Sequence, residues 1–295
     1  MTPKRRPLTL GTGPGLAQDQ AEKARKRFLE HVRRNIFHLI TKLTLAYAES
    51  TQDGPMNPDN EVVHAANALT SWTSGVSTEI KELSRNVASL LERNLAGKSK
   101  VNKAALVGLD GLSREFLTKN TYAVGAGTFL AAESVEKGGR ALEWWSRKDS
   151  GAIGRLDFDL TPGSSRYYDY EKLPFFSTAA STGEQTLWGP YIDYLGFEEY
   201  ILTFAAPFSV HGNFAGVAGC DIRIKDLEPL LMPILRVIPA DAALINASNR
   251  VILGNSGMYL VGERIKSGSP DQHRLALDVP HLGLSLIYTT QPQTS

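Results

Sequence analysis

The sequence predicts an α+β protein in which long N-terminal helices precede an antiparallel β-sheet and a small second β-rich module. Three observations support this fold class. Apolar residues recur every three or four positions before about residue 95, which is typical of amphipathic helices. Apolar and polar residues alternate in short segments between Thr186 and Ile222, as in half-buried strands. Further short apolar segments, separated by turn residues, follow after residue 240.

The composition is that of a globular protein with an overall charge close to zero. Of the 295 residues, 42% are hydrophobic and the formal net charge is +1, which makes no general case for nucleic-acid or membrane binding. The single cysteine, Cys220, excludes an internal disulfide and a cysteine metal cluster. The sequence contains no apolar run of the roughly 18 residues that span a bilayer, and no apolar signal core. We therefore expect a soluble, cytoplasmic protein without a membrane span.

The N-terminal third predicts a tail and two long helices. Residues 1–19 are rich in Pro, Gly, Thr and basic residues, and we expect a disordered tail. Residues 20–98 are predicted to form a helical hairpin and dimerisation region, with helices from about Asp19 to Ser50 and from Asp59 to Leu95. Heptad-like spacing in the second helix makes it a candidate homodimer interface.

Basic residues dominate the first predicted helix and the segment before it. Between Lys4 and Lys42, Lys and Arg clearly outnumber Asp and Glu. Such a stretch could bind nucleic acid, anionic lipid or an acidic partner. A solvent-exposed helix face is the favoured interpretation, because no helix-turn-helix or other nucleic-acid-reading motif accompanies it.

The sheet is predicted within residues 99–223 as five antiparallel strands. The segment His211-Gly212-Asn213 is suited to a hairpin turn, because Gly and Asn tolerate positive φ. An aromatic segment before the last three strands predicts a short helix that faces them. The remaining residues, 224–295, are expected to form an amphipathic helix and a small second module. The five strands are expected at Tyr122–Glu133, Ala141–Ser146, Thr186–Tyr194, Glu199–Val210 and Phe214–Ile222.

The order of these segments resembles that of Cache or PDC-type sensor domains, which are related to double-Cache chemoreceptor ligand-binding domains. The resemblance covers roughly Tyr122 to Gly254 and rests on WGPYID, a later strand that continues into AAPF, GVAGCDI and the helix KDLEPLL. It implies a PAS-like sheet that binds a small ligand such as an amino acid, an amine or a carboxylate. The segment LINASNRVILGN resembles the opening hairpin of a second PAS-like module. Members of this family usually lie outside the membrane and pass a signal to a signalling module inside the cell. A cytoplasmic chain would depart from that pattern. The resemblance does not identify its signalling partner.

The resemblance also implies a ligand site. Members that bind amino acids carry a Tyr, then Arg-Pro-Trp-Tyr, then Tyr-x-Asp and a final Asp. The matching positions here are Tyr168, Leu173-Pro174-Phe175-Phe176, Tyr191-Ile192-Asp193 and Asp221. Leu173 takes the place of the Arg, whose planar fork binds a carboxylate with two hydrogen bonds. Two carboxylates among aromatic rings remain, and this combination suits a cation.

We therefore predict a pocket for an organic amine, such as a biogenic amine, a polyamine or a quaternary ammonium. An amino acid held by Lys172 or by backbone groups is the near alternative. Trp188 and Phe176 could instead belong to the core, Asp193 could cap a turn, and Asp221 could cap the helix that begins near Ile224. Of Trp144 and Trp145, at most one can line the pocket. The predicted ligand-binding residues are Tyr168, Tyr170, Phe175, Phe176, Trp188, Tyr191, Asp193, Asp221 and Trp145.

The sequence carries no recognisable enzyme signature. A nucleophile elbow, a phosphate loop and a dinucleotide fingerprint are absent, and the six histidines show no metal-ligand spacing. Asp157 and Asp159 could pair on a strand as catalytic acids or metal ligands, although a structural role is favoured. We expect a sensor that signals through its long helices, with no catalytic residue, metal or cofactor. The alternatives are an enzyme that acts on a small amine through Asp193 and Asp221, or a regulator whose basic helix binds nucleic acid.

Overall fold

The computed structural model describes residues 58–137, 139, 141–193, 199–266 and 271–289, and the predicted tail and first helix lie outside them. Within these residues the predicted α+β class is confirmed. None of the described helices is both long enough and apolar enough to cross a membrane. The helices are α1 (Pro58–Leu95), α2 (Leu109–Lys119), α3 (Pro174–Thr182) and α4 (Ile224–Leu235). The strands are β1 (Gly125–Leu130), β2 (Leu142–Arg147), β3 (Ile153–Leu156), β4 (Thr186–Ile192), β5 (Tyr200–Val210), β6 (Asn213–Arg223), β7 (Ala242–Ile245), β8 (Val251–Gly254), β9 (Gln272–Ala276) and β10 (Ser285–Thr289).

Helix α1 is the second of the two predicted long helices, and it packs one apolar face on the first sheet. Buried residues recur along it at helical spacing, and burying each large aliphatic side chain stabilises the fold by about 1.5–3 kcal/mol. Polar contacts fix its position: the Ser84 hydroxyl donates to the Pro207 carbonyl at 2.8 Å, and Ser77 donates to Gln185 at 2.5 Å. The buried apolar face comprises Val62, Leu69, Val76, Ile80, Leu83, Val87, Leu91 and Leu95.

The first sheet has six antiparallel strands in the order β3-β2-β1-β6-β5-β4. The prediction of five strands is wrong by one, because β3 pairs with β2 and extends the edge. Helices α1 and α2 cover one face, and α3 with the preceding aromatic segment covers the other. Since successive strand residues point to opposite faces, Phe204 packs towards α1 while Thr203 faces the side of α3.

The hairpin between β5 and β6 sets the register of the central strands. His211 and Gly212 form its turn with φ of 51° and 79°, as a two-residue type I′ turn requires. An irregularity next to Phe208 inserts one extra residue into β6 and shifts the pairing beyond it. Thr203 therefore lies directly opposite Asp221, and both side chains project from the same face of the sheet.

The second sheet has four antiparallel strands in the order β8-β7-β10-β9. Its core is formed by buried aliphatic side chains such as Leu244, Ile252 and Leu286, against which α4 packs. The two sheets meet where the Asn246 amide donates to the Gly189 carbonyl of β4 at 2.5 Å. The structure thus contains the predicted second β-rich module, and the exact domain boundaries stay predictions.

Candidate functional site

A small cavity lies on the face of the first sheet that α3 covers. Aromatic rings form much of its wall, namely those of Phe129, Phe158, Tyr168, Phe175 and Tyr191. The polar part of the wall is formed by Asp193, Thr203 and Asp221. Its free volume is about 10 Å³, close to the minimum for a single water molecule. The structure therefore shows the site closed around its own side chains.

Asp221 is the most buried charged group of the site. It lies in β6 between Gly125 of β1 and Thr203 of β5, its side chain is almost fully enclosed, and it accepts a 2.6 Å hydrogen bond from the Thr203 hydroxyl. Burial raises the pKa of Asp221 to about 7, the Thr203 hydrogen bond opposes the rise, and the Asp193 carboxylate adds to it. Asp221 is not a helix cap, because the N-cap of α4 is Arg223 and no side chain caps that helix.

Tyr191 connects to Asp221 through Thr203. The Tyr191 and Thr203 hydroxyl oxygens are 3.0 Å apart, and the Thr203 proton is directed to Asp221, so Tyr191 is the donor to Thr203. The Tyr191 ring stacks on Trp188 with ring centres 3.7 Å apart. Burial, with a further effect of Asp221, raises the pKa of Tyr191 well above its ordinary value, so the phenol stays neutral. The Thr203 hydroxyl thus links the Tyr191 hydroxyl to the Asp221 carboxylate through two hydrogen bonds.

The opposite wall is built by Tyr168 and the aromatic residues around it. Tyr168 stacks on Phe158 with ring centres 4.6 Å apart, and Phe129 contacts Phe175 at 5.0 Å. Burial and the carboxylates of Asp221 and Asp193 raise the pKa of Tyr168, which remains a neutral phenol. The cavity thus combines aromatic faces with two acidic groups.

The structure brings together five of the residues that the sequence predicted for the site: Tyr168, Phe175, Tyr191, Asp193 and Asp221. The Asp193 side chain lines the cavity, and its backbone N–H donates to the Glu199 carbonyl at 3.1 Å. Trp188 lies beside the cavity, where it contacts Tyr191 and lines a neighbouring cleft. These placements establish which side chains share the cavity, and their role in ligand binding stays a prediction.

Two other predicted residues lie in the core near the cavity but do not line it. The Tyr170 hydroxyl donates to the Leu130 carbonyl at 2.6 Å, which uses the polar end of this buried side chain for structure. Phe176 is buried between Tyr170 and Phe214. Both residues anchor α3 and the segment before it, and this places Phe175 at the cavity.

Trp145 does not line the cavity, so the prediction that it belongs to the site is wrong. Its ring packs on the face of the sheet that α1 and α2 cover, with the Arg114 guanidinium 4.1 Å from the ring centre. Trp144 lies on the face of the cavity and contacts Phe129 with ring centres 4.9 Å apart. Gly125 makes room for it, since a Cβ there would lie 2.7 Å from the indole nitrogen of Trp144. Strand alternation therefore assigns Trp144, not Trp145, to this side.

Two further sequence interpretations are also corrected. The Lys172 ammonium pairs with Asp169 at 2.6 Å in an exposed position, so it does not reach the cavity as a carboxylate partner. Asp157 and Asp159 follow β3 instead of sharing a strand face, and Asp159 accepts hydrogen bonds from Thr161 and Ser164 of its own turn. Among the described residues, no group of three or more His, Cys, Asp or Glu side chains is arranged to hold a metal.

The sequence interpretation missed Phe129, Phe158 and Thr203. Phe129 lies in a predicted strand, and its alternation with the small residues before it would have placed it on the face of Gly125 and Gly127. Phe158 lies in an irregular segment after β3, although the alternation of LDFDL is typical of a strand. The position of Thr203 depends on the register of the β5–β6 hairpin, which the sequence pattern does not reveal.

The part of the chain that contains the cavity matches a known protein family. Residues 110–229 match the model of a family described as "Methyl-accepting chemotaxis protein-like, first PDC sensor domain". The resemblance to PDC-type sensor domains is confirmed. The matched segment includes every residue that lines the cavity.

Solved structures of sensor domains share the fold over a larger part of the chain. Methyl-accepting Chemotaxis protein X is 19% identical, with a TM-score of 0.54 and coverage of 79% of this chain and 97% of that chain. The ligand-binding domain of the Pseudomonas fluorescens chemoreceptor CtaA, in complex with L-serine, is 18% identical. Its TM-score is 0.51, with coverage of 79% of this chain and 95% of that chain. At these identities the likeness establishes the fold alone.

A curated relative shows a short but closer match. Over 41 residues the chain is 63% identical to a protein of Mycobacterium gastri that is named as an HTH-type transcriptional regulator, RmpR. The match spans 14% of this chain and 15% of the length of that relative.

Proposed function

We propose that this chain is the ligand-binding part of a sensor and that the closed cavity receives a small molecule with a protonated amine. One observation carries the proposal: the carboxylates of Asp193 and Asp221 share a cavity with the rings of Tyr168, Phe175 and Tyr191. Each aromatic face attracts a cation by about 0.5–2 kcal/mol, and the nearby carboxylates supply charge and hydrogen-bond acceptors. The PDC family match of this segment supports a sensor role.

The residues around the cavity favour an amine without a carboxylate over an amino acid. Among the described residues that line it there is no Lys or Arg, and the only charged side chains are acidic. Leu173, at the position where amino-acid sensors resembling this chain have an arginine, is a half-buried apolar residue at the start of α3. The CtaA domain, which shares this fold, binds L-serine, so an amino acid remains the second ligand class to be tested.

Ligand entry requires the cavity to open. A free volume of about 10 Å³ is far below the several hundred cubic ångströms of a typical small-molecule site. Phe175 belongs to α3, whereas Thr203 and Asp221 belong to the sheet on which α3 packs. We therefore propose that α3 moves away from the sheet when ligand binds. Helix α1 packs on the opposite face of the same strands and would transmit the change to a signalling partner.

A thermal-unfolding screen against amines, amino acids and carboxylates tests the proposal. A ligand at one hundred times its dissociation constant should add about 2.7 kcal/mol to the free energy of unfolding. We expect stabilisation by amines, and its loss in Asp193→Asn and Asp221→Asn. Asp157→Asn is the matched control, because this exposed carboxylate lies outside the cavity and its neutralisation should leave amine binding unchanged.

The outcomes separate the candidate functions. Stabilisation by carboxylates that persists in both Asp variants would show that the acidic pair is structural and would contradict the proposed site. Stabilisation by amino acids alone would move the ligand class to amino acids. A turnover assay on any ligand found would separate a sensor from an enzyme that uses Asp193 and Asp221. The expected homodimer and the cytoplasmic location stay predictions that these assays do not address.

A regulator that binds nucleic acid is the second candidate function. It is favoured by the 41-residue match to a protein named as an HTH-type transcriptional regulator. The basic stretch between Lys4 and Lys42 would supply the phosphate contacts, although it lies outside the described residues. Retention on DNA that decreases with salt, and is lost when Arg25, Arg27 and Arg33 are replaced by Gln, would support this role. Retention that is unchanged by these substitutions would exclude the basic stretch as its source.

A further inference from the structure

A second, open cleft lies next to the cavity, where the edge strand β4 of the first sheet meets the second sheet. Its volume is about 450 Å³, and Tyr191 lines both this cleft and the cavity. The side of the first sheet contributes Trp188 and Tyr200, and the side of the second sheet contributes Asn246, Arg250 and Arg264. Unlike the cavity, the cleft has room for a small molecule without a change in the fold.

The charge of the cleft is positive and is not balanced within it. Arg250 and Arg264 line it, and none of the described lining residues is an Asp or Glu. Neither guanidinium takes part in the ion pairs formed among the described residues. The two residues form a β-bridge pair, which places their side chains side by side. Like charges that face each other across a bridge are unfavourable unless an anion lies between them.

The cleft is also held in shape by the residues around the arginines. The Arg250 guanidinium donates to the Gly262 carbonyl, so its orientation is fixed before any ligand arrives. The Asn246 side chain donates to the Gly189 carbonyl of β4 and accepts hydrogen bonds from the backbone N–H groups of Ser248 and Arg250. The bond to Gly189 connects the second-sheet side of the cleft to the first-sheet side, and the other two bonds fix the Asn246 side chain.

An aromatic wall faces the cleft in addition to the cations. Trp188 stacks on Tyr191 with ring centres 3.7 Å apart. The Tyr200 ring packs over Gly262, where a Cβ would lie 2.8 Å from the ring and where φ is +84°. Such a wall favours a ligand with a flat or apolar body over a bare inorganic ion.

We propose that this cleft is a second ligand site, which binds a small organic carboxylate. Arg250 and Arg264 hold the carboxylate, and Trp188 and Tyr200 contact the body of the ligand. Arginine suits this task because its planar donors match the two oxygens of a carboxylate. The charge preference of the site is opposite to that of the acidic cavity, so the proposal does not rest on amine binding there.

Titration calorimetry of the full chain with benzoate, succinate and inorganic phosphate tests the proposal. We expect benzoate to bind more tightly than phosphate and its affinity to fall by about tenfold or more in Arg264→Gln, which removes one of the two cations. Arg264 is exposed, so this change should not disturb folding. Arg236→Gln is the matched control, because it removes an exposed arginine elsewhere, at the end of α4.

Each outcome bears on the proposal. Equal affinity of benzoate for the wild type and Arg264→Gln, or no binding of any of the three anions, would overturn it. Phosphate binding as tight as benzoate binding would overturn the assignment of an organic carboxylate. Asp221→Asn should leave benzoate binding unchanged, and this result would separate the cleft from the amine cavity. Failure of amine binding in the cavity therefore does not affect the test of the cleft.

Discussion

The cavity and the cleft lie on either side of Tyr191 and differ in burial and in charge. The cavity is closed, has a free volume of about 10 Å³ and contains Asp193 and Asp221. The cleft is open, has a volume of about 450 Å³ and contains Arg250 and Arg264. Burial therefore determines both the protonation of a charged group and its accessibility to a ligand. A buried carboxylate changes its protonation in response to its surroundings, whereas the Arg264 guanidinium lies exposed at an open cleft.

Because of this difference, ligand binding would change the structure in a different way at each site. The cavity can bind a ligand only if α3 and the sheet separate, so binding there is coupled to a change in packing. The cleft accepts a ligand in its present shape, and a ligand would connect the two sheets that form its sides.

The largest expected effect concerns packing at the two sites. Phe175→Ala should lower the free energy of unfolding by about 3–5 kcal/mol, because the Phe175 side chain of α3 is fully buried against the sheet. Tyr200→Ala, on the cleft side, should cost clearly less stability, because Tyr200 is 37% exposed. Urea unfolding of both variants measures the difference. Equal losses in the two variants would contradict the view that the cavity is packed and the cleft open.

The next effect is a dependence of stability on pH that comes from Asp221. Burial raises its pKa from 3.8 to about 7, so between these pH values the folded state keeps a proton that the unfolded state has released. Because the folded state then binds more protons, stability should fall as pH rises from about 4 to about 7, by roughly 3–4 kcal/mol in total from this group. The groups that face Asp221 are Asp193, Tyr168 and Tyr191, and the two tyrosines stay neutral over this range.

Asp221→Asn is the variant that isolates this effect. It removes the titration while keeping an acceptor for the Thr203 hydroxyl, so its free energy of unfolding should exceed that of the wild type increasingly from pH 5 to pH 8. Urea unfolding at several pH values gives both curves. Parallel curves would show that Asp221 is already ionised at pH 5. Benzoate binding in the cleft should stay level over the same range, because Asp221 does not line the cleft.

Much of the fold could be predicted because local patterns determine it. The heptad-like spacing predicted α1 almost to the residue, and the His211-Gly212 turn located the hairpin between β5 and β6. Tyr191, Asp193 and Asp221 were placed together by their positions on predicted strands and by the family resemblance, and the structure brings them into one cavity.

The remaining features depend on structure that a local pattern does not encode. A hairpin without an irregularity would pair Thr203 with Cys220, and the single extra residue beside Phe208 instead places Thr203 opposite Asp221. Trp144 and Trp145 are adjacent, so only the register of β2 decides which one reaches the cavity. The cleft joins residues more than fifty positions apart, and its arginines lie in a module whose position relative to β4 the sequence does not specify.

The smallest expected effect tests whether Tyr191 divides the two sites. Tyr191→Phe removes the hydroxyl that donates to Thr203 and keeps the ring that stacks on Trp188. We expect a loss of about 0.5–1.5 kcal/mol in stability and weaker amine binding, because the hydrogen bonds that position Asp221 are altered. Benzoate binding should be unchanged, since the aromatic wall of the cleft is intact. Calorimetry with both ligands compares the sites in one variant, and a loss of benzoate binding as large as that of the amine would show that the hydroxyl, not the ring, connects them.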